Sequence, residues 1–190
     1  MEKKEKVQNL VPDWILEARE KWNYYGQVRP PFAEKPKPGQ RSVWDFPRPP
    51  ALKISSKRVT VKWQETQLAS STNALELLET ASPPTYYIPR EDVNSKWLIK
   101  IPKKQSLCEW KGRAEYWALI DTPSEPVAWT YERPFPEYGR LQGYFAFYPQ
   151  HLACYLNEEK ATPQPGLFYA GWITSDLAGP FKGESGSGHW

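Results

Sequence analysis

Along this 190-residue chain the hydrophobic and polar positions change period twice. Trp14, Ala18, Trp22 and Tyr25 recur at helical spacing, with Glu17, Glu20 and Lys21 on the other side. Asp13 stands where an N-cap is expected and Gly26 where a helix would end. The spacing predicts an amphipathic helix over 14–25, too short to stand alone in water, whose apolar stripe docks on its own domain. From residue 58 the period falls to two. Val59, Val61 and Trp63 oppose Arg58, Lys62 and Gln64, and Gln64-Glu65-Thr66 reads as a hairpin turn. A strand is expected over 74–79, stopped by Ser82-Pro83-Pro84. The longest alternation, 107–120, puts Cys108, Trp110, Gly112, Ala114, Tyr116 and Ala118 on one face, against Glu109, Lys111, Arg113 and Glu115. It predicts one half-buried strand, with Gly112 at a bulge or close backbone approach. Strands over 127–131 and 141–148 follow. The second is aromatic on both sides and should lie centrally in its sheet.

Between helix and strands, prolines at 30, 31, 36, 38, 47, 49 and 50 force an extended strap. Trp44 and Phe46 alternate with Asp45 and would pin that strap to a surface. Residues 1–10 are polar and expected to fray. A polar turn at 157–160, a loose segment over 168–181 and the run GESGSG read as an extension with a flexible tail. The expected organisation is a helix and proline-rich strap at 1–40, a β domain at 41–155 and a C-terminal extension at 156–190. Short strands without intervening helices make the fold mainly β, built of coiled antiparallel sheets.

Composition narrows the function classes. Twenty prolines exclude coiled coils and helical repeats, while 10 Trp and 11 Tyr make the chain unusually aromatic. The net charge of +3 is spread out, so the basic stretches at 53–58 and 96–104 read as solvated surface, and nucleic acid is not an expected partner. No apolar run is long enough to span a membrane. The first ten residues lack the apolar core of a secretory signal, so a cytoplasmic setting with reduced thiols is expected. Two cysteines (Cys108, Cys154) and two histidines (His151, His189) do not supply a structural zinc site. No metal or cofactor is expected, and glycine-rich phosphate loops, HExxH and GxSxG are absent.

The segments SVWDFPRPP at 42–50, LELLETASPPTYYIPREDV at 75–93, CEWKGRAEYW at 108–117, AWTYERPFPE at 128–137 and LQGYFAFYP at 141–149 carry a resemblance. Over roughly 41–150 the chain resembles the domain-of-unknown-function family 427. The resemblance implies a β-tent architecture, coiled antiparallel sheets like those of methionine sulfoxide reductase B and the thalidomide-binding domain of cereblon. Many β-tent proteins hold a four-cysteine zinc site, so two cysteines imply the metal-free pattern of this family. The family's label sometimes borrows "nucleotidyltransferase". That activity is not carried over, because the chain has no paired aspartates beside a Gly-Ser turn.

The motif residues Glu79, Tyr86, Tyr87, Trp110, Lys111, Tyr116 and Trp129 combine flat apolar walls with a carboxylate, hydroxyls and an ammonium. That mixture suits a small ligand with an aromatic or sugar-like face. The plainer reading is that Trp110, Tyr116 and Trp129 fill the core. Lys111 should face away from Trp110 unless Gly112 bulges. Cys108, at an odd offset from Lys111, reads as an inert thiol on the opposite face. Non-catalytic binding of a small molecule ranks first. A protein-interaction or assembly module using the N-terminal helix and proline strap, marked by an exposed apolar patch around Trp14, Trp22 or Trp172, comes second, and an enzyme built on Cys108 or the Glu79/Lys111 pair third.

Overall fold

The structure, a computed structural model, describes residues 11–166 and 168–190. The fraying expected of residues 1–10 falls outside the described residues. One helix, α1 (Asp13–Arg19), precedes β1 (Arg41–Ser42), β2 (Ala51–Ile54), β3 (Val59–Trp63), β4 (Thr66–Ser71), β5 (Leu75–Glu79) and β6 (Ser82–Ile88). Then come β7 (Leu98–Cys108), β8 (Gly112–Leu119), β9 (Pro126–Thr130), β10 (Phe145–Phe147) and β11 (Ala153–Leu156). Four two-residue strands complete the chain: β12 (Glu159–Lys160), β13 (Thr162–Pro163), β14 (Trp172–Ile173) and β15 (Leu177–Ala178). The fold is mainly β, as the pattern predicts.

A seven-stranded antiparallel sheet runs β2-β5-β6-β10-β9-β8-β7, and a four-stranded antiparallel sheet runs β12-β11-β3-β4. Alternation assigns each side of the larger sheet a different task. Tyr86, Ile88, Phe145 and Phe147 point one way and meet Val59, Val61, Leu68, Cys154, Leu156 and Trp172 in the main core between the sheets. Leu75, Tyr87, Ala146, Trp129 and Ala114 point the other way into a second cluster. As expected, β10 is central, and all three of its residues are buried. The parallel pair β1–β15 ties the strap to the chain's far end.

The strap is pinned as predicted: Trp44 and Phe46 are buried while Asp45 is exposed. They join Val43, Leu78, Ala81 and Leu177 in a third cluster. The tail, expected to be flexible linker, packs against this cluster. Trp190 stacks on Phe32 at 5.2 Å, and buried Ser187 accepts from Gly183 N–H and donates to the Glu184 carbonyl.

Several expectations are corrected. The helix ends at Arg19 rather than 25, and its first turn receives no side-chain cap from Asp13. Its buried side chain is Ile15, whereas Trp14 is 57% exposed, so the docked face is rotated from the stripe read in the sequence. Trp22 lies beyond the helix.

Residues 107–120 form no single strand: β7 and β8 pair as a hairpin with Cys108 opposite Gly112, and Glu109, Trp110 and Lys111 form its turn. Gly112 takes φ +97°, conformational space that glycine enters freely. The apparent alternation crossed a chain reversal, which period alone does not reveal.

Pro83 and Pro84 do not stop a strand but lie within β6. They sit in the register shift between Leu77↔Thr85 and Glu79↔Ser82, and β10 pairs only with Tyr87 and Ile88. Their missing N–H groups therefore forfeit no ladder bond. The strand expected over 141–148 shortens to β10, because Pro136–Leu141 forms a 3-10 segment and Gly143 turns with φ +72°.

Candidate functional site

On the second face of the large sheet, one row of residues crosses five strands. Leu75 faces Tyr87, Tyr87 faces Ala146, Ala146 faces Trp129, and Trp129 faces Tyr116. Small Ala146 lies between two rings, and Tyr87 and Trp129 meet edge to face at 6.2 Å across it. Neighbouring positions two residues away add Leu77 and Glu79 from β5, Thr85 from β6, Ala114 from β8, Ser106 and Cys108 from β7, and Tyr131 just after β9. The floor is thus a product of period-2 alternation.

Above this floor is a cavity of about 210 Å³. The β7–β8 turn supplies Glu109, Trp110 and Lys111 to its wall. The rim comes from distant chain: Trp22, Gln164, Phe168, Tyr169, Ala170 and Lys182.

Six of the seven sequence-derived candidates line this cavity: Glu79, Tyr87, Trp110, Lys111, Tyr116 and Trp129. Tyr86 does not. Adjacent strand residues point to opposite faces, so Tyr86 sits in the main core beside Trp172 and donates to Glu76 Oε1 at 3.2 Å. Lys111 and Cys108 meet at the cavity wall, contrary to the opposite faces expected of a continuous strand, because the turn between them reverses the chain.

Lys111 is only 7% exposed. Its Nζ lies 3.9 Å from Glu79 Oε2, and Cys108 lines the same wall. Burial disfavours its charge, but Cys108, Tyr87 and Glu79 outweigh that, so it is held protonated well above the usual lysine range. Glu79 also reaches Arg48 Nη2 at 3.4 Å. Arg48, 4% exposed, donates to the Tyr24 and Thr80 carbonyls and lies 4.2 Å over the Trp22 ring. Lys182, 2% exposed, lies 3.7 Å over the same ring and donates to a main-chain oxygen of Trp190. Burial, then the nearby Arg48 charge, lowers its pKa to about 8 despite Glu79 and Glu109.

The tyrosines remain hydroxyls. Burial pushes Tyr87 up to about 12 and also raises Tyr131 and Tyr148. Tyr116 and Ser106 share a hydrogen bond of 2.7 Å.

The family described as a domain of unknown function, DUF427, matches residues 51–158, more than half of the chain. The chain belongs to that family. No curated protein matches it. In this DUF427 domain the matched residues run from β2 through β11 and contain the cavity floor and the Lys111 turn. The rim residues Trp22, Gln164, Phe168, Tyr169, Ala170 and Lys182 lie outside the matched stretch.

Sequence reading missed Lys182, Arg48, Tyr131, Tyr148 and Ser106. Tyr131 was accessible from parity with Trp129. Lys182 and Arg48 carried no local signal, because their burial arises where strap and C-terminal extension close over the sheet. Among the described residues, no three His, Cys, Asp or Glu side chains gather as a metal-ligand group. No helix among them is long and apolar enough to cross a membrane.

Proposed function

We propose that this DUF427 domain binds a small aromatic molecule, without covalent chemistry, in the cavity above its large sheet. The observation that carries the reading is a buried ammonium, Lys111, set in a wall of Tyr87, Trp110, Tyr116 and Trp129. Rings supply contact area, and the few polar groups fix orientation. At about 210 Å³ the space exceeds the roughly 150 Å³ that accepts benzene in an engineered apolar cavity, and suits one or two fused rings.

The test is a thermal-shift and tryptophan-fluorescence screen of one- and two-ring aromatic compounds against wild type and Ala114→Leu. Ala114 is buried on the cavity floor, so added methyl groups project into the space. Saturable binding lost in Ala114→Leu supports the reading; binding that survives filling the cavity sinks it.

A second reading, a protein partner on the N-terminal helix and proline strap, rests on exposed Trp14 and, on the strap, Phe32. Trp172 is fully buried, and Trp22 lies beneath Arg48 and Lys182. Trp14→Ala separates the two readings, since it leaves the cavity untouched. The enzyme reading on Cys108 is separated by Cys108→Ser, which retains ligand under the binding proposal.

A further inference from the structure

Two buried cations line the cavity, Lys111 and Lys182, and a third, Arg48, is buried over the Trp22 ring, none more than 7% exposed. Among the described residues, the side-chain carboxylate in contact with Arg48 and Lys111 is Glu79, at 3.4 Å and 3.9 Å. Glu109 is closer to the rim, where its Oε1 accepts from Trp22 Nε1 at 3.2 Å. Arg19, over the Trp110 ring, is offset by its pair with Glu137. Arg48 also donates to the Tyr24 and Thr80 carbonyls, and Lys182 Nζ donates to a main-chain oxygen of Trp190 at 3.1 Å.

Lys111 therefore shares its close carboxylate, Glu79, with Arg48. A buried charge without a matching opposite charge is costly.

Donor capacity is also in surplus. Lys111 Nζ has three N–H groups, and the hydrogen bonds among the described residues give it no oxygen acceptor. The Trp110 indole N–H and Arg48 Nε are buried without a partner among the described residues. The surrounding tyrosines are protonated hydroxyls, able to donate. A buried ammonium with no oxygen acceptor and a shared carboxylate, beside an unpartnered indole N–H, suits an oxygen acceptor that carries negative charge.

Resting on the reading of the cavity as a binding site, we infer that its ligand is an aromatic carboxylate, with the carboxylate at Lys111 and the ring against Tyr87 and Trp129. The ring requirement comes from the apolar row across the sheet. The charge requirement comes from the buried Lys111 ammonium.

The experiment is calorimetric titration of the full chain with benzoate and 2-naphthoate, their neutral amides, and the corresponding arylmethylammonium ions. The expected order is carboxylate over amide by about tenfold, with the ammonium weakest. In Lys111→Met the carboxylate and amide affinities should converge. An amide equal to or tighter than its carboxylate in wild type overturns the anion inference and leaves aromatic binding standing. Saturable binding by none of the six compounds overturns the binding reading itself. If Lys111→Met fails to fold, the wild-type carboxylate-to-amide ratio still decides.

Discussion

Cys108 faces Gly112 across the ladder of the β7–β8 hairpin, and the turn they close carries Lys111 inward to 3.9 Å from Glu79. Gly112 makes that reversal possible with φ +97°, and a β-carbon there would lie 3.3 Å from the Phe135 backbone nitrogen. Gly112→Ala is expected to destabilise the domain by about 1–2 kcal/mol through backbone strain. Ligand affinity should fall as well, because Lys111 moves with the turn. Urea unfolding alongside a ligand titration checks both; an unchanged urea midpoint would show that the turn accepts a side chain.

Arg48 joins strap, Trp22 and sheet in one contact set. Its guanidinium spans the Tyr24 and Thr80 carbonyls while approaching Glu79. Arg48→Met removes the charge and leaves those acceptors unpaired, an expected loss of about 3–5 kcal/mol. Arg48→Lys should recover little, since one ammonium cannot reproduce the planar fork. Full recovery by lysine in a denaturant midpoint would contradict this account.

The helix gives a paired prediction. Ile15 is 1% exposed and Trp14 57% exposed. Ile15→Ala should cost about 2–4 kcal/mol, whereas Trp14→Ala should change stability by less than about 0.5 kcal/mol. Melting curves of the two variants decide it. The reverse ranking would restore the helix face read from the sequence.

Lys182 makes stability depend on pH. Folded, it loses its proton near pH 8, against an ordinary value of 10.5. Between those values the unfolded chain holds more protons, so stability rises with pH across that window. Below about pH 8 both states are charged, and the burial cost applies in full. The expected gain from about pH 7 to about pH 9.5 is on the order of 1–2 kcal/mol. Above about pH 10 ionisation of unfolded tyrosines works against it, because folded Tyr87 holds its proton to about 12. Denaturant titrations at the two pH values, on wild type and Lys182→Met, measure the effect. An equally steep rise in the variant assigns it elsewhere.

Where local chemistry decides, the sequence was informative. Alternation located β3, β5, β9 and the two-sided burial of β10, because period-2 patterning records which side chains meet a core. The proline strap and its Trp44 and Phe46 anchors were legible for the same reason. The candidate site was legible in its residue types, and six of its seven members came together on the cavity. Tyr86 was misplaced because a motif lists neighbours without saying which face each takes.

Only the tertiary structure decided the rest. Residues 107–120 alternate as one strand would, yet a turn at 109–111 folds them into two, since reversal depends on partners that the local pattern does not contain. Arg48 and Lys182, 134 positions apart, became buried neighbours over one tryptophan ring only when strap and C-terminal extension closed on the sheet. Sequence period determined which faces are apolar. Burial of charge, and with it the chemistry of the cavity, was set by long-range contacts, because desolvation depends on everything packed around a group.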